Sequence, residues 1–259
     1  VDIEVNGGEL DELSANWVIT DADSGLDMFE YSVGTSPDGT DVVGWTAVAL
    51  TTTFTETGLS LETSEIYYVN VRATDIAGNQ IVFNADGQQV APTLTFSTGT
   101  TSITFDNLNS GNSFSDTKTT TLTTSTNARN GYEIRAYTTG SLENALLDTI
   151  PNFTGGSYAS PDTWQGGDTG YGYTSSDALV QGANIFNAPT CPGGGTGGPC
   201  FASFSQTAPG DIIADNPGVI TGTPIVNEQF TITHRVTADT IQPVGTYQTT
   251  LVFQATATY

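Results

Sequence analysis

Two acidic runs are the parts of this sequence best equipped to hold a metal ion. They are Asp21-Ala-Asp23-Ser-Gly25-Leu-Asp27 and Asp75-Ile-Ala-Gly-Asn79. Calcium takes roughly six to eight oxygens from carboxylates, amides and carbonyls. Asp21, Asp23, Asp75 and Asn79 are the candidate ligands, with Asp27 in reserve. The first run departs from an EF-hand loop, because it has no Asp or Asn at the fifth position and no Glu at the twelfth. Asp and Asn also shape turns without any ion, by bonding to their own backbone. Both readings stand at this point, and no cofactor other than calcium is suggested.

The remaining chemistry is sparse. Cys191-Pro-Gly-Gly-Gly-Thr-Gly-Gly-Pro-Cys200 puts two thiols on one Gly-rich loop. Zinc would need two further ligands, so Cys191 and Cys200 are read as a local disulfide, which implies an oxidising compartment. His234 is the only histidine, and it falls on the apolar phase of a strand. A Ser/His/Asp site needs a nucleophile on an exposed turn, and the sequence has no Gly-x-Ser-x-Gly elbow. His234 is therefore expected to be packed or half-buried, and the chain is not read as an enzyme. Lys118 is the only lysine. A lysine–asparagine cross-link is one reading of it, and an ordinary exposed strand residue is the favoured one. Tyr158, Trp164, Tyr171, Tyr173 and Phe186 punctuate a loop-rich stretch. They could form a platform for sugar rings or, more in keeping with such stretches, a satellite core under long loops. Asn152-Phe-Thr154 is a glycosylation sequon.

The elements that would carry these residues are strands. Val1, Ile3 and Val5 alternate with Asp2 and Glu4, and Asn6-Gly7-Gly8 is a turn signal. Phe29, Tyr31 and Val33 alternate; Ser36-Pro-Asp-Gly-Thr40 reads as a turn with glycine at positive φ. Further on, Asn130-Gly131 sits between two alternating runs, 117–125 and 132–138, as in a hairpin. Phe230, Ile232, His234 and Val236 share one face; Tyr247, Thr249, Leu251, Phe253, Ala255, Ala257 and Tyr259 share one face of a long final strand. Residues 144–150 could make one or two helical turns. The reading is all-β: two tandem β-sandwich domains, 1–91 and 92–259, joined at Ala91-Pro92, the second carrying a loop-rich insertion at 141–207.

Composition narrows the partners. The 259 residues hold 28 acidic and only 5 basic side chains, a net charge of −23. Nucleic acid is disfavoured, since phosphate binding needs clustered Lys and Arg. No apolar run approaches the roughly 18 residues of a membrane-spanning helix. The start at Val1, with no initiator Met, reads as a mature, processed polypeptide.

Two resemblances follow from particular residues. Leu13-Ser-Ala-Asn-Trp17-Val-Ile19, then Leu59-Ser-Leu-Glu-Thr-Ser-Glu-Ile-Tyr67-Tyr-Val69-Asn-Val71-Arg-Ala73, resembles a fibronectin type III domain. There a strand-B Trp packs on the opposite sheet and a Tyr-x-Val-x-Val-x-Ala strand follows a Leu-bearing corner. That resemblance implies that the two acidic runs lie in loops at one end of the sandwich, where their oxygens could converge. In the second unit, 124–134, 170–177, 229–236 and 243–251 look like segments of secreted bacterial surface proteins. The resemblances imply an extracellular location and bring no catalytic residues. The expected function is a structural subunit of an extracellular filament or cell-surface layer, a homopolymer in which Val1, Ile3 and Val5 could insert into the next copy. A cell-surface adhesin or carbohydrate-binding module is the alternative.

Overall fold

The computed structural model describes residues 2–7, 11–63, 65–90, 93–128, 130–218 and 224–258, and in the first of these runs Ile3 is the one side chain described. Val1, Gly8, Tyr259, the Val5 side chain and the Ala91-Pro92 boundary lie outside the described residues.

The alternating apolar residues of the first hundred positions become antiparallel strands: β1 (Asp2–Gly7), β2 (Glu12–Val18), β3 (Leu26–Gly34), β4 (Val43–Ala49), β5 (Thr53–Thr57), β6 (Ile66–Asp75), β7 (Gln80–Asn84) and the short β8 (Gln88–Gln89). One sheet runs β1-β2-β5; the other runs β4-β3-β6-β7, with β8 also pairing β6. Leu13, Ala15 and Trp17 of β2 face Phe29, Tyr31 and Val33 of β3 and Tyr67, Val69, Val71 and Ala73 of β6 in one buried cluster. Trp17 meets Phe29 edge-on at 6.0 Å, and Tyr31 stacks on Phe54 at 3.9 Å. The Tyr67 hydroxyl accepts the Glu62 N–H at 2.6 Å, tying the start of β6 to the preceding corner. The expected first strand lies in register on its own β2, with Ile3 opposite Trp17, at the edge of its sheet.

The Ser36–Thr40 turn forms, with Gly39 N–H bonded to Ser36 O at 2.9 Å. The positive φ falls on Asp38 (61°), not on Gly39 as expected. Asp38 tolerates it because its N–H is held by the buried Asn70 side chain at 3.1 Å.

The later strands are β9 (Leu94–Thr98), β10 (Ser115–Thr126), β11 (Tyr132–Thr138), β12 (Leu142–Glu143), β13 (Thr149–Ile150), β14 (Asp162–Thr163), β15 (Gly170–Ser175), β16 (Cys200–Ser203), β17 (Asp211–Asn216), β18 (Ile225–Thr237) and β19 (Leu251–Ala257), with one 3₁₀ turn at Ser110–Asn112. A six-stranded sheet, β14-β16-β15-β18-β10-β9, and a three-stranded sheet, β17-β11-β19, enclose a second core. The architecture is all-β, with a β-sandwich core in each part of the chain.

Four expectations need correction here. Asn130-Gly131 makes a turn, yet β10 and β11 do not pair. Both edges of β10 are already taken at Thr126, by Leu94 of β9 and Ile225 of β18, so the chain crosses to the other sheet. Gly131, at φ +71°, permits that crossing, since a Cβ there would lie 1.8 Å from Asn216 O. The final strand is shorter than expected: Tyr247 and Thr249 precede it, their hydroxyls donating to Pro243 O and Gly140 O. Residues 144–150 form no helix, because the Asn144 Oδ1 accepts the N–H groups of Leu146 and Asp148 and closes a turn between β12 and β13. The stretch 141–207 is less an insertion than part of the sheet, since it supplies β14, β15 and β16 and β15 pairs β18 directly.

Candidate functional site

Side chains on β18 alternate across the six-stranded sheet. Phe230, Ile232, His234 and Val236 are buried in the core, while Thr231, Thr233 and Arg235 face outward. Thr117 of β10 stands opposite Arg235. Thr117, Thr233 and Arg235 form the floor of an open cleft of about 740 Å³. Trp164 and Gln165, which follow β14, make one wall; Gly194 to Pro199 and Phe201 make the other.

The Trp164 ring is fixed from three sides. Phe153 stacks on it at 4.1 Å with an interplanar angle of 19°, Phe201 meets it edge-on at 5.4 Å, and the Arg235 guanidinium lies over it at 4.8 Å. Two groups that close to one ring centroid must take opposite faces, so the indole is sandwiched between Phe153 and Arg235. A cation over a Trp face is favourable by about 0.5–2 kcal/mol, more as water is excluded.

The glycine wall is closed by a Cys191–Cys200 disulfide, as expected from the spacing. Asp162 clamps the loop from inside, its Oδ1 accepting the Gly195 N–H at 2.8 Å. A Cβ on Gly195 would fall 2.0 Å from that oxygen, and one on Gly193 2.7 Å from the Asp162 Cβ. The glycines there are a packing requirement of the clamp.

Arg235 is the cation of this site. Among the described residues, Arg72 pairs with Glu30 at 2.7 Å, Lys118 with Asp106 at 2.9 Å and Arg135 with Glu133 at 2.9 Å. Arg235 has no carboxylate within 4 Å among the described residues; its Nε donates to Ser115 Oγ at 3.3 Å, and its two Nη groups make no hydrogen bond within the described chain. Burial lowers its pKa, opposed by the more distant charge of Asp168. The sequence reading missed Arg235. The available signal was a rare basic residue, on the outward phase of a strand, in a chain with 28 acids.

Tyr158, Trp164, Tyr171 and Tyr173 do not form a platform for sugar rings, the alternative reading of this stretch; most of them pack as the favoured reading has it. Tyr171 and Tyr173 are buried in the core against Phe204, with Phe186 beside Tyr173. Their strand, β15, is covered on both faces, which its Gly-Tyr-Gly-Tyr alternation disguised. Trp164 offers an edge rather than an open face. Tyr158 is half-buried, its hydroxyl donating to Gln181 Oε1 at 3.2 Å.

The two acidic tips do meet. Ser24 Oγ donates to Asp21 Oδ2 and to Asp75 Oδ2, each at 2.9 Å. Asn79 turns its amide nitrogen, not its carbonyl, toward Asp75 at 2.8 Å, and its N–H bonds the other oxygen at 2.7 Å. These bonds lower the pKa of Asp75, Asn79 contributing most; the Asp23 N–H leads the same effect on Asp21. Asp23 turns its backbone N–H to Asp21, and Asp27 is exposed on β3. Among the described residues no three His, Cys, Asp or Glu side chains gather as metal ligands would.

His234 is enclosed, its Nδ1 3.1 Å from the Tyr171 hydroxyl, and desolvation pulls its pKa down to about 4. Lys118 lies between Asp106 and Asp116 at 2.9 and 3.1 Å. The Asn152 amide is committed to Phe204 O at 2.9 Å.

No family model matches the chain, and no curated protein matches it by sequence. Similar solved structures include a chaperone–tip adhesin complex of CFA/I fimbriae (9% identity, 99% of this chain and 80% of that one, TM-score 0.31). Another is a carbohydrate-binding module of the β-sandwich superfamily (10% identity, 99% and 97%, TM-score 0.27). A third is a chitinase from Bacillus thuringiensis (14% identity, TM-score 0.27), of whose length this chain spans 28%. Likeness at that level is too slight to transfer a fold or an activity.

Proposed function

We propose that this chain is a non-catalytic, surface-displayed binding protein that takes glycans into the cleft between Trp164 and the disulfide-closed glycine loop. The cleft itself carries the reading. Its volume lies in the range of small-ligand sites, roughly 300–1,000 Å³, and its lining offers the hydroxyls of Thr117, Thr163, Thr196 and Thr233, the Gln165 amide and glycine main chain. Those groups suit a polyhydroxylated ligand. The enclosed His234, on the opposite face of β18, supports a non-catalytic role. The disulfide supports an oxidising, extracellular location. The β1-β2-β5 and β4-β3-β6-β7 order and the Tyr67 corner support a type III-like first domain on 1–91, with 92–259 as the second. Calcium is not required by this reading.

A glycan array tests it. Saturable binding is expected, and Thr117→Tyr, which fills the cleft from an exposed strand position, should abolish it without lowering the melting temperature. Failure to bind any glycan overturns the reading.

A second reading, the homopolymeric filament or surface-layer subunit, is favoured by the edge position of β1. An edge strand can pair with a neighbour or be exchanged into one. Exchange of Val1, Ile3 and Val5 would first release β1 from β2. Deleting residues 1–5 should then leave folded monomers that cannot polymerise in electron micrographs; normal assembly of the truncated chain rules exchange out.

A further inference from the structure

We infer that the cleft selects acidic sugars, with the Arg235 guanidinium receiving the ligand's carboxylate and the threonine hydroxyls of the floor receiving its ring hydroxyls. This rests on the glycan reading above. Three observations combine. Arg235 lines the cleft and carries no ion-pair partner, although the chain bears 28 acidic residues and the three other described cations are all paired. Its Nε is anchored on Ser115 and its guanidinium carbon lies over Trp164 at 4.8 Å, which leaves the two Nη groups uncommitted within the described chain. A guanidinium fork held in that way matches a carboxylate bidentately. Finally, Thr117 and Thr233 flank it on the same floor.

The net charge of −23 does not forbid an anion. Exposed charges are screened beyond about 8 Å at physiological salt. Asp168, whose charge reaches Arg235, is outside ion-pair distance of it and is hydrogen-bonded to the Gln165 N–H at 2.7 Å. A neutral sugar would fill the cleft and leave the guanidinium without an anionic partner. Four threonine hydroxyls and the Gln165 amide among the lining residues favour a polyhydroxylated acid over an acidic peptide.

The test is calorimetry of the native chain with oligogalacturonate, with the same oligosaccharide methyl-esterified, and with an oligo-aspartate peptide. The acid is expected to bind roughly 10- to 100-fold more tightly than the ester, the usual weight of a charge-assisted hydrogen bond. Arg235→Gln should remove that preference, while Arg235→Lys, which keeps the positive charge without the fork, should keep part of it and should report the fold's tolerance. Equal binding of acid and ester, unchanged in Arg235→Gln, overturns the inference and leaves the glycan reading standing. Binding of the peptide in preference to either sugar overturns both.

Discussion

Tyr173→Ala is expected to destabilise the protein by about 3–5 kcal/mol, the range for emptying a buried aromatic site. Tyr173 is fully enclosed on β15, stacked on Phe204 at 4.3 Å and tilted against Phe186 at 5.4 Å. The cavity would open in the densest part of the second core, where Ile134, Ile213 and Ile232 also reach zero exposure. Tyr173→Phe should be neutral or slightly stabilising, because the hydroxyl is buried without a hydrogen-bond partner among the described residues. Chemical denaturation of the three proteins checks this, and glycan affinity of the folded fraction should be the same in all three. Had Tyr173 been a sugar contact, the pattern would invert: affinity lost, stability kept.

The second large effect is on acid stability. A histidine ordinarily titrates near 6.5, and His234 in the fold titrates at about 4 because burial disfavours its cation. The folded-state value is depressed, so between pH 6.5 and 4 the unfolded chain binds a proton that the folded chain refuses. Stability from this residue is whole above about 6.5, falls as pH drops, and stops falling below about 4. The total loss is about 3 kcal/mol, at 1.36 kcal/mol for each pH unit. His234→Phe should flatten that part of the profile. The variant would also leave the Tyr171 hydroxyl without its partner, a cost that does not vary over this range. Lowered carboxylates such as Asp75 add their own acid lability, and raised ones such as Asp211 oppose it. Those contributions cancel in the difference between the two proteins. Urea midpoints at pH 7.5, 5.5 and 4 that ran parallel would show that the imidazole is not the sensor.

The first core was legible because its signals are local. Trp17, Tyr31 and the Tyr67–Ala73 run each alternate with polar neighbours, so period-2 spacing marks the core face, although the other face is also covered at Ser32 and Asn70. The turns at 36–40 and 75–79 carried their own chemistry, and the disulfide pair was fixed by proximity in the chain. What failed was non-local. Asn130-Gly131 specifies a turn and says nothing about which strands lie beside it; the pairing was decided by β9 and β18, about 30 and 100 residues away in sequence. The aromatics of 153–186 looked alike in sequence, and only the sheet order separates Tyr173, inside, from Trp164, at the rim. Arg235 was hidden for the same reason. Its partners in the cleft come from 117, 163–165, 194–201 and 233, and no window of sequence brings them together.

The adjacency of His234 and Arg235 on β18 has a consequence for how the chain can fold. β18 lies on β10 in unbroken register from Ser115 opposite Thr237 to Thr124 opposite Glu228. A slip of one residue would keep nearly all of the main-chain ladder and would turn every side chain over. The imidazole would face water together with Ile232 and Val236, and the guanidinium would be driven into the core beside Tyr171 and Phe204, the rings that now flank His234. An unpaired buried charge costs several kcal/mol or more, a penalty comparable to the whole stability of a domain. Burial of Phe230, Ile232 and Val236 favours the same register, and the charge of Arg235 adds to it. The two neighbouring side chains act as a key with one correct depth, so proofreading of the alignment is written into the same residue that waits in the cleft.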